Sequence, residues 1–474
     1  MIRRTVLALS FLFLASVSIP ARAQAAASQV DLAQLADEAQ VWLAGLIQIN
    51  TTNPPGNEAV AAKYIAGILE KEGIPSEVLE VLPGRSIVVA RLQSGAMPDP
   101  ANALLLLAHL DVVGVDAKKW SVDPFGAVIK DGYLYGRGAI DDKGMVIANL
   151  ASFIALKRNG VRLSRDVIFV GDDDEEQGGA ASIKTVIEKY WDKIACAYAL
   201  NEGGRVMVQD GKVQYVGIQA SEKVSYNITV TATGISGHGS VPRPDNAVVH
   251  LSAAISKIGA YQAPPEPITI TLRYFEQLTK IEDEETAKWM RALEQPERLE
   301  LAVKHLGDAS PVWNSMLRDT IAPTMLRAGV RVNVVPSEAT ANLNVRLLPG
   351  HSIQDIIAAL AKLVNDKQIR FDLAPDSGEN APPSDLNSPL YQTIERVAPQ
   401  DFPGAVALPF LSTGATDSAE LRLHKVQAYG LLPFPLTEAD DLRMHADDER
   451  IPLESFRKGV AFLYHVVSEF AAAK

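Results

Sequence analysis

Three stretches carry residues able to do chemistry: His109-Leu110-Asp111, Asp172-Asp173-Asp174-Glu175-Glu176 and Asn201-Glu202-Gly203-Gly204. Each follows a short apolar run, at 104–108, 167–170 and 195–200. Five consecutive carboxylates repel one another, so the middle stretch is either a solvated loop or a place where cations hold the acids together. Short apolar, β-branched runs read as buried strands. Acids at the carboxyl ends of such strands stand where open α/β sheets place their sites. Imidazole and carboxylate are ligands that zinc-like dications take. Three strands ending this way predict a metal centre.

In His109-Leu110-Asp111 the first and third residues share one side of an extended segment. Asp111 can therefore accept the proton of the imidazole nitrogen that does not face the metal, fixing the tautomer a ligand needs. A further stretch, Gly136-Arg137-Gly138-Ala139-Ile140-Asp141-Asp142-Lys143-Gly144, precedes a helical segment. By itself Asp141 is either a helix cap or a ligand, since an acid at a helix N-terminus is favourable anywhere. Taken together, Gly-Arg-Gly-x-x-Asp-x-Lys-Gly, the preceding His-x-Asp and the following Asp-Glu-Glu resemble the dinuclear zinc exopeptidases. That family includes succinyl-diaminopimelate desuccinylase, aminoacylase, glutamate carboxypeptidase and carboxypeptidase S. The resemblance runs through essentially the whole chain beyond residue 23.

The resemblance implies a site, residue by residue. Asp141 would bridge two zinc ions, with cobalt or manganese as alternatives. His109 and Glu202 would complete one of them; Glu176 and His445, in Met444-His445-Ala446-Asp447-Asp448-Glu449, would complete the other. Glu175 would be the general base, taking a proton from a water shared by the metals and passing it to the leaving amine. His238, in Gly234-Ile235-Ser236-Gly237-His238-Gly239-Ser240, would steady the oxyanion, in relatives often from the other subunit. Asn333 and Arg346 match substrate-contacting residues, with Arg346 gripping a free carboxylate through two parallel hydrogen bonds. Gly414-Ala415-Thr416-Asp417 resembles a turn lining the substrate pocket. Two departures stand out: Asn201 replaces a common Asp, and the acidic run is longer than usual.

The elements that must position these residues follow from periodicity. Helices are expected over 32–46, 59–72, 145–159 and 180–191, alternating with strands at 76–80, 86–91, 104–108 and 167–170. That alternation predicts an α/β fold with a mostly parallel, helix-covered sheet. From about residue 222 the pattern changes to strand 224–233, helix 246–260, strands 329–335 and 339–347, helix 353–364 and strand 369–373. This β-α-β-β-α-β order is ferredoxin-like. A charged, helical-looking stretch at 282–318 reads as an insertion within it. The expected division is a catalytic domain over 24–221 and 377–474, interrupted at 222–376 by a lid or dimerisation domain.

Residues 1–23 read as a cleaved export signal: Arg3 and Arg4, an apolar segment over 6–17, then Ala21-Arg22-Ala23. The apolar segment is shorter than the ~20 residues a membrane span needs. Removing 23 of 474 residues would leave 451 and, with Arg3, Arg4 and Arg22 gone, shift the formal charge from −12 to −15. An acidic surface with no basic cluster argues against nucleic acid and anionic membranes as partners. The single cysteine, Cys196, can form no intrachain disulfide and reads as a core residue. The chain is thus expected to be an exported, zinc-dependent hydrolase, periplasmic or secreted, and a homodimer through the inserted domain. Peptide bonds next to a C-terminal amino acid are the first expectation and N-acyl amino acids the second. A non-catalytic metal or peptide binder is the remote third.

Overall fold

The strand Leu104–His109 is buried over its whole length. Leu104, Leu106 and Ala108 enter one core with Val167 and Phe169, while Leu105 and Leu107 enter another with Ile168 and Val170. Successive side chains of a strand leave on opposite faces, and here both faces are covered. That is why these strands are unbroken apolar runs rather than alternating ones. The molecule is seen as a computed structural model that describes residues 30–177, 183–375 and 378–473. The expected export signal and the Gly178-Gly179 pair lie outside the described residues. Among the described residues no helix is long and apolar enough to cross a membrane.

Ten strands form the large sheet. Its centre runs Val167–Asp172, Leu104–His109, Tyr198–Asn201 and Gln427–Gly430, all parallel. Antiparallel pairs flank it, Arg85–Leu92 on one side and Lys212–Glu222 on the other. The register places His109 beside Asp172, and Asn201 beside Gly430. All three expected site-bearing strands therefore end at one edge. Helix Lys143–Arg158 is buried throughout from Lys143 to Leu156, because helices Leu32–Ile47 and Leu453–Ala471 pack on the faces the sheet does not cover. Cys196 is buried, and its burial pushes the thiol up to about 12, which leaves it an inert core residue.

A second, smaller sheet has the order Thr320–Ala328, Glu338–Leu347, Val224–Thr233, Ile369–Leu373, with helices Ala247–Ala260 and Ile353–Val364 on one face. Chain order and strand order together make it ferredoxin-like. One strand differs from expectation. Its edge is Thr320–Ala328 rather than 329–335, and of the latter only Val334–Val335 pairs, with Gly237–His238. Pro323 sits at a register shift in that strand, a residue tolerated at a sheet edge, and Gly329 at φ +65° turns the chain out of it.

The charged stretch also belongs elsewhere than its sequence suggests. Helices Thr269–Leu278, Glu284–Arg291, Leu299–Ala309 and Pro311–Met316 bury Tyr274, Phe275, Met290, Val303, Leu306 and Met316 in the core of the large sheet, not the small one. Their charges face outward and hide an apolar stripe at helical spacing. Lys223, where the chain passes from one sheet to the other, ties the junction together. Its Nζ donates to the carbonyls of Ser315 and Arg318 and to Thr320 Oγ1, at 2.9–3.0 Å.

Candidate metal centre

Three tight turns at the sheet edge carry the acids and the first imidazole. The loop before helix Lys143–Arg158 brings in Asp141, and the turn after helix Glu438–Asp441 brings in His445. At Gly138 φ is +87°, and an added Cβ would lie 2.9 Å from Val112, so this bend needs glycine. Asp141 stands centrally: its Oδ1 is 3.1 Å from His109 Nε2 and its Oδ2 is 3.0 Å from His445 Nε2. His445 Nε2 is also 3.2 Å from Glu176 Oε2. One carboxylate thus faces two imidazoles with opposite oxygens, the disposition a bridging ligand requires.

Potential ligand atoms of His109, Asp141 and Glu176 lie within 4.8 Å of one another, as do those of His109, Glu175 and Glu202. All five expected ligands and Glu175 therefore converge. Glu176 Oε1 is buried without a hydrogen-bond partner, so it has coordination to spare. Two imidazoles and several carboxylates are a donor set that suits zinc. Charge tells the same story. Burial and the neighbouring acids push Glu175 well above the carboxylate range and Glu202 up to about 8. Asp141 is held low against its burial by its hydrogen bonds to His109 and His445, and His445 is raised to about 10 by Asp141 and Glu176. So many acids in one place call for cations between them.

Asp111 does more than orient an imidazole. Its carboxylate lies 3.3 Å from His109 Nδ1 and accepts the backbone N–H groups of Glu175 and Glu176, each at 3.2 Å. It therefore anchors the imidazole and the glutamate pair to one another. The three acids before that pair stand outside both groups of converging ligand atoms. Asp172 and Asp173 are fully buried, and burial raises them to about 6 and about 9. Burial also lifts Asp417 well above the carboxylate range, and the neighbouring Asp172 adds to the rise.

Glu449 went unassigned in the sequence. Its buried carboxylate takes Arg137 Nη1 at 2.6 Å and the N–H groups of Gly138, Ile140 and Asp141 at 2.8–3.2 Å. Arg137 in turn donates to the carbonyls of His445 and Ala446. This pair thereby shapes both the Asp141 loop and the His445 turn. Nothing in a single sequence separates Glu449 from Asp447 and Asp448 beside it; only its partners do.

Of the expected substrate residues, Arg346 is half-buried at the junction of the two sheets, opposite Ser225. Its Nε donates to Asn344 Oδ1. Ser225 lines a cavity of about 140 Å³ together with Glu175, Val224, Ala415, Thr416 and Asp417. His238 and Asn333 are elsewhere. Both are exposed on the small Gly237–His238 and Val334–Val335 ribbon, where His238 Nδ1 pairs with Ser240 and the Asn333 carbonyl with the Gly239 N–H. Within one chain they are not brought to the cluster.

A family model described as peptidase family M20/M25/M40 matches residues 105–469. The probable carboxypeptidase S-like 2 of Dictyostelium discoideum is 31% identical over 382 residues, covering 78% of this chain and 72% of that protein. The human N-fatty-acyl-amino acid synthase/hydrolase is 29% identical over 378 residues, covering 78% and 74%. Among solved structures, an M20 family metallo-carboxypeptidase from Sulfolobus solfataricus superposes with a TM-score of 0.69. It is 19% identical, over 92% of this chain and 99% of that one. The last likeness speaks for the fold.

Proposed function

Since the chain belongs to peptidase family M20/M25/M40, we propose that it is a two-zinc amidohydrolase that releases a C-terminal amino acid from a small peptide. N-acyl amino acids are the second substrate class. The observation that carries this is Asp141, whose two oxygens face His109 and His445 while Glu175 stands beside them. His109 and Glu202 would hold one metal and Glu176 and His445 the other, with Asp141 between. Bound there, zinc, cobalt or manganese would supply Lewis acidity to the scissile carbonyl and to water. His109, Glu202 and Asp141 would supply three protein ligands to one metal, fewer than a closed structural site takes, so water or substrate could reach it. Glu175 stands beside His109 and Glu202 and is left for the proton work.

The residues divide the work. Asp111 keeps His109 Nδ1 protonated and Nε2 turned inward. The Glu175 carboxylate takes the proton of the attacking water and returns it to the leaving nitrogen. Arg346, whose Nε alone is engaged by Asn344, offers its outer nitrogens to the substrate carboxylate. A panel of dipeptides and N-acyl amino acids, assayed with metal and after chelation, is the test. Metal-dependent release of an amino acid is expected, and the better substrate class decides between peptidase and acylase. Arg346→Met should raise KM about 10- to 100-fold with little change in kcat. A hydrogen bond to a charged group is worth ~1.5–3 kcal/mol, and a binding interaction removed equally from ground and transition state shows itself in KM. Zinc binding without release from any substrate would leave a binding protein instead.

The proposal extends to a homodimer and to export. The edge strand Thr320–Ala328 is exposed, and beside it Val330 is 94% and Val332 108% exposed. Large apolar side chains so bare mark an interaction surface. A second copy there would cover them and could carry His238 toward its partner's site, where an imidazole is wanted for the oxyanion. A native mass spectrum of protein recovered outside the expressing cell reads both points. A dimer of chains starting at Gln24 is expected; a monomer, or chains retaining residues 1–23, would remove the corresponding part.

A further inference from the structure

Asn53 lies far from the metal ligands in sequence, in Asn50-Thr51-Thr52-Asn53-Pro54-Pro55-Gly56, yet its side chain is almost fully buried beneath them. Its Nδ2 donates to Asp111 Oδ2 and to Asp174 Oδ1, both at 2.8 Å. Two carboxylates only accept, so the amide has one workable orientation. Arg85 Nη1, which only donates, faces Oδ1 at 3.4 Å and agrees with it. Asp111 and Asp174 border the glutamate pair from two sides: Asp111 holds the N–H groups of Glu175 and Glu176, and Asp174 is the residue before them. Asp174 has φ +62°, a left-handed conformation that neighbours must sustain in a residue other than glycine.

The loop carrying Asn53 is itself pinned to the strand end. Thr51 Oγ1 donates to the Leu110 carbonyl at 2.7 Å, the Asn53 N–H to the Val112 carbonyl at 2.9 Å, and Lys143 Nζ to the Ile49 carbonyl at 2.7 Å. From below, Arg85 clasps the fully buried Glu58 with two nitrogens and Asp174 with one, at 2.5, 2.8 and 3.1 Å. Gln177 Nε2 reaches back to the Asn53 carbonyl at 3.3 Å. The acidic turn is thus held at both ends by one amide and its guanidinium support. Without the amide, Asp111 and Asp174 would face each other with no hydrogen between them.

We propose that Asn53 is a positioning residue: its amide, supported by Arg85, ties Asp111 to Asp174 and so aims Glu175 and Glu176 at the metal positions. The inference rests on the roles given to His109, Glu175 and Glu176 above. Partners of this kind are worth roughly 10- to 100-fold in metal affinity or activity when removed. Asn53 touches no substrate, so its loss should appear in kcat and in metal retention, with KM unchanged.

The test uses the full chain loaded with zinc. Asn53→Ala should surrender zinc to a competing chelator about 10- to 100-fold more readily than wild type. At saturating zinc, kcat should still be lower with KM within about twofold. Asn53→Ser retains one donor and should show the same split at smaller size. A residue that merely stabilised the fold would reduce the amount of folded protein and leave kcat per bound zinc intact. The proposal is overturned if either folded variant keeps zinc retention and kcat within about twofold of wild type. Zinc retention needs no substrate, so it separates the two readings. If wild type hydrolyses nothing but Asn53→Ala still loses zinc, the assigned reaction fails and the positioning role stands. A wild-type chain that binds no zinc overturns both.

Discussion

Glu175→Gln is expected to lower kcat by about 10²- to 10⁴-fold, the range a general base supplies. That corresponds to ~2.7–5.4 kcal/mol of transition-state stabilisation at 1.36 kcal/mol per tenfold. The substitution keeps the shape and the hydrogen-bonding carbonyl and removes only the capacity to take a proton. Backbone placement should survive, because Asp111 holds residue 175 through its N–H rather than its side chain. Metal content should therefore match wild type, and KM should move little. The measurement is steady-state kinetics alongside metal analysis of the same sample. Loss of one metal together with activity would mean that Glu175 ligates, which its proximity to His109 and Glu202 permits by distance alone. Full activity in the variant would sink the assignment of the base.

The second large effect concerns stability. Arg137 and Glu449 are a buried ion pair, with side chains 2% and 0% exposed. Removing one partner of such a pair typically costs ~3–5 kcal/mol, because the remaining charge stays buried and uncompensated. Glu449→Gln should fall near the lower end, since the amide oxygen can still accept some backbone N–H groups. Glu449→Ala should fall near the upper end, because the N–H groups of Gly138, Ile140 and Asp141 lose their acceptor as well. In many buried pairs, replacing both partners by apolar residues recovers the loss. Here it should not, for the same backbone donors would remain unmet. Denaturant unfolding followed by tryptophan fluorescence reports directly, since Trp120 lies against the Arg137 guanidinium at 5.4 Å. Unfolding of both variants at the wild-type midpoint would show that the pair carries no such weight. Activity should fall too, because the pair shapes the loops of Asp141 and His445.

Much of the site was legible because the chemistry sits at the ends of buried strands. A strand covered on both faces must be apolar along its length, so residues 104–108 and 167–170 announce themselves. Whatever polar residue comes next stands at the sheet edge. His109 and the two acidic stretches could therefore be placed at a site from the chain alone, while the family resemblance carried by the nonapeptide around Asp141 singled out the glutamate pair and Glu202 within them. The ferredoxin-like order of the second unit was legible for a similar reason. Its strands alternate, with one face on the helices and one toward solvent, as in Val224–Thr233.

Tertiary structure decided the rest. The helices between Thr269 and Met316 carry charges that resemble an insertion, and only the apolar stripe they bury shows that they belong to the large core. The true edge strand, Thr320–Ala328, is exposed and interrupted by Pro323, so no buried pattern marks it. His238 and Asn333 match the motif in sequence, yet within one chain they stand away from the cluster. Glu449 and Asn53, to which a supporting role is given above, make hydrogen bonds to groups 308–311 and 58–121 residues away. A sequence by itself determines what a residue can donate, accept or ligate, and whether its neighbours will be buried. Which donor meets which acceptor is settled only when the chain closes, because that pairing depends on separations no local pattern encodes.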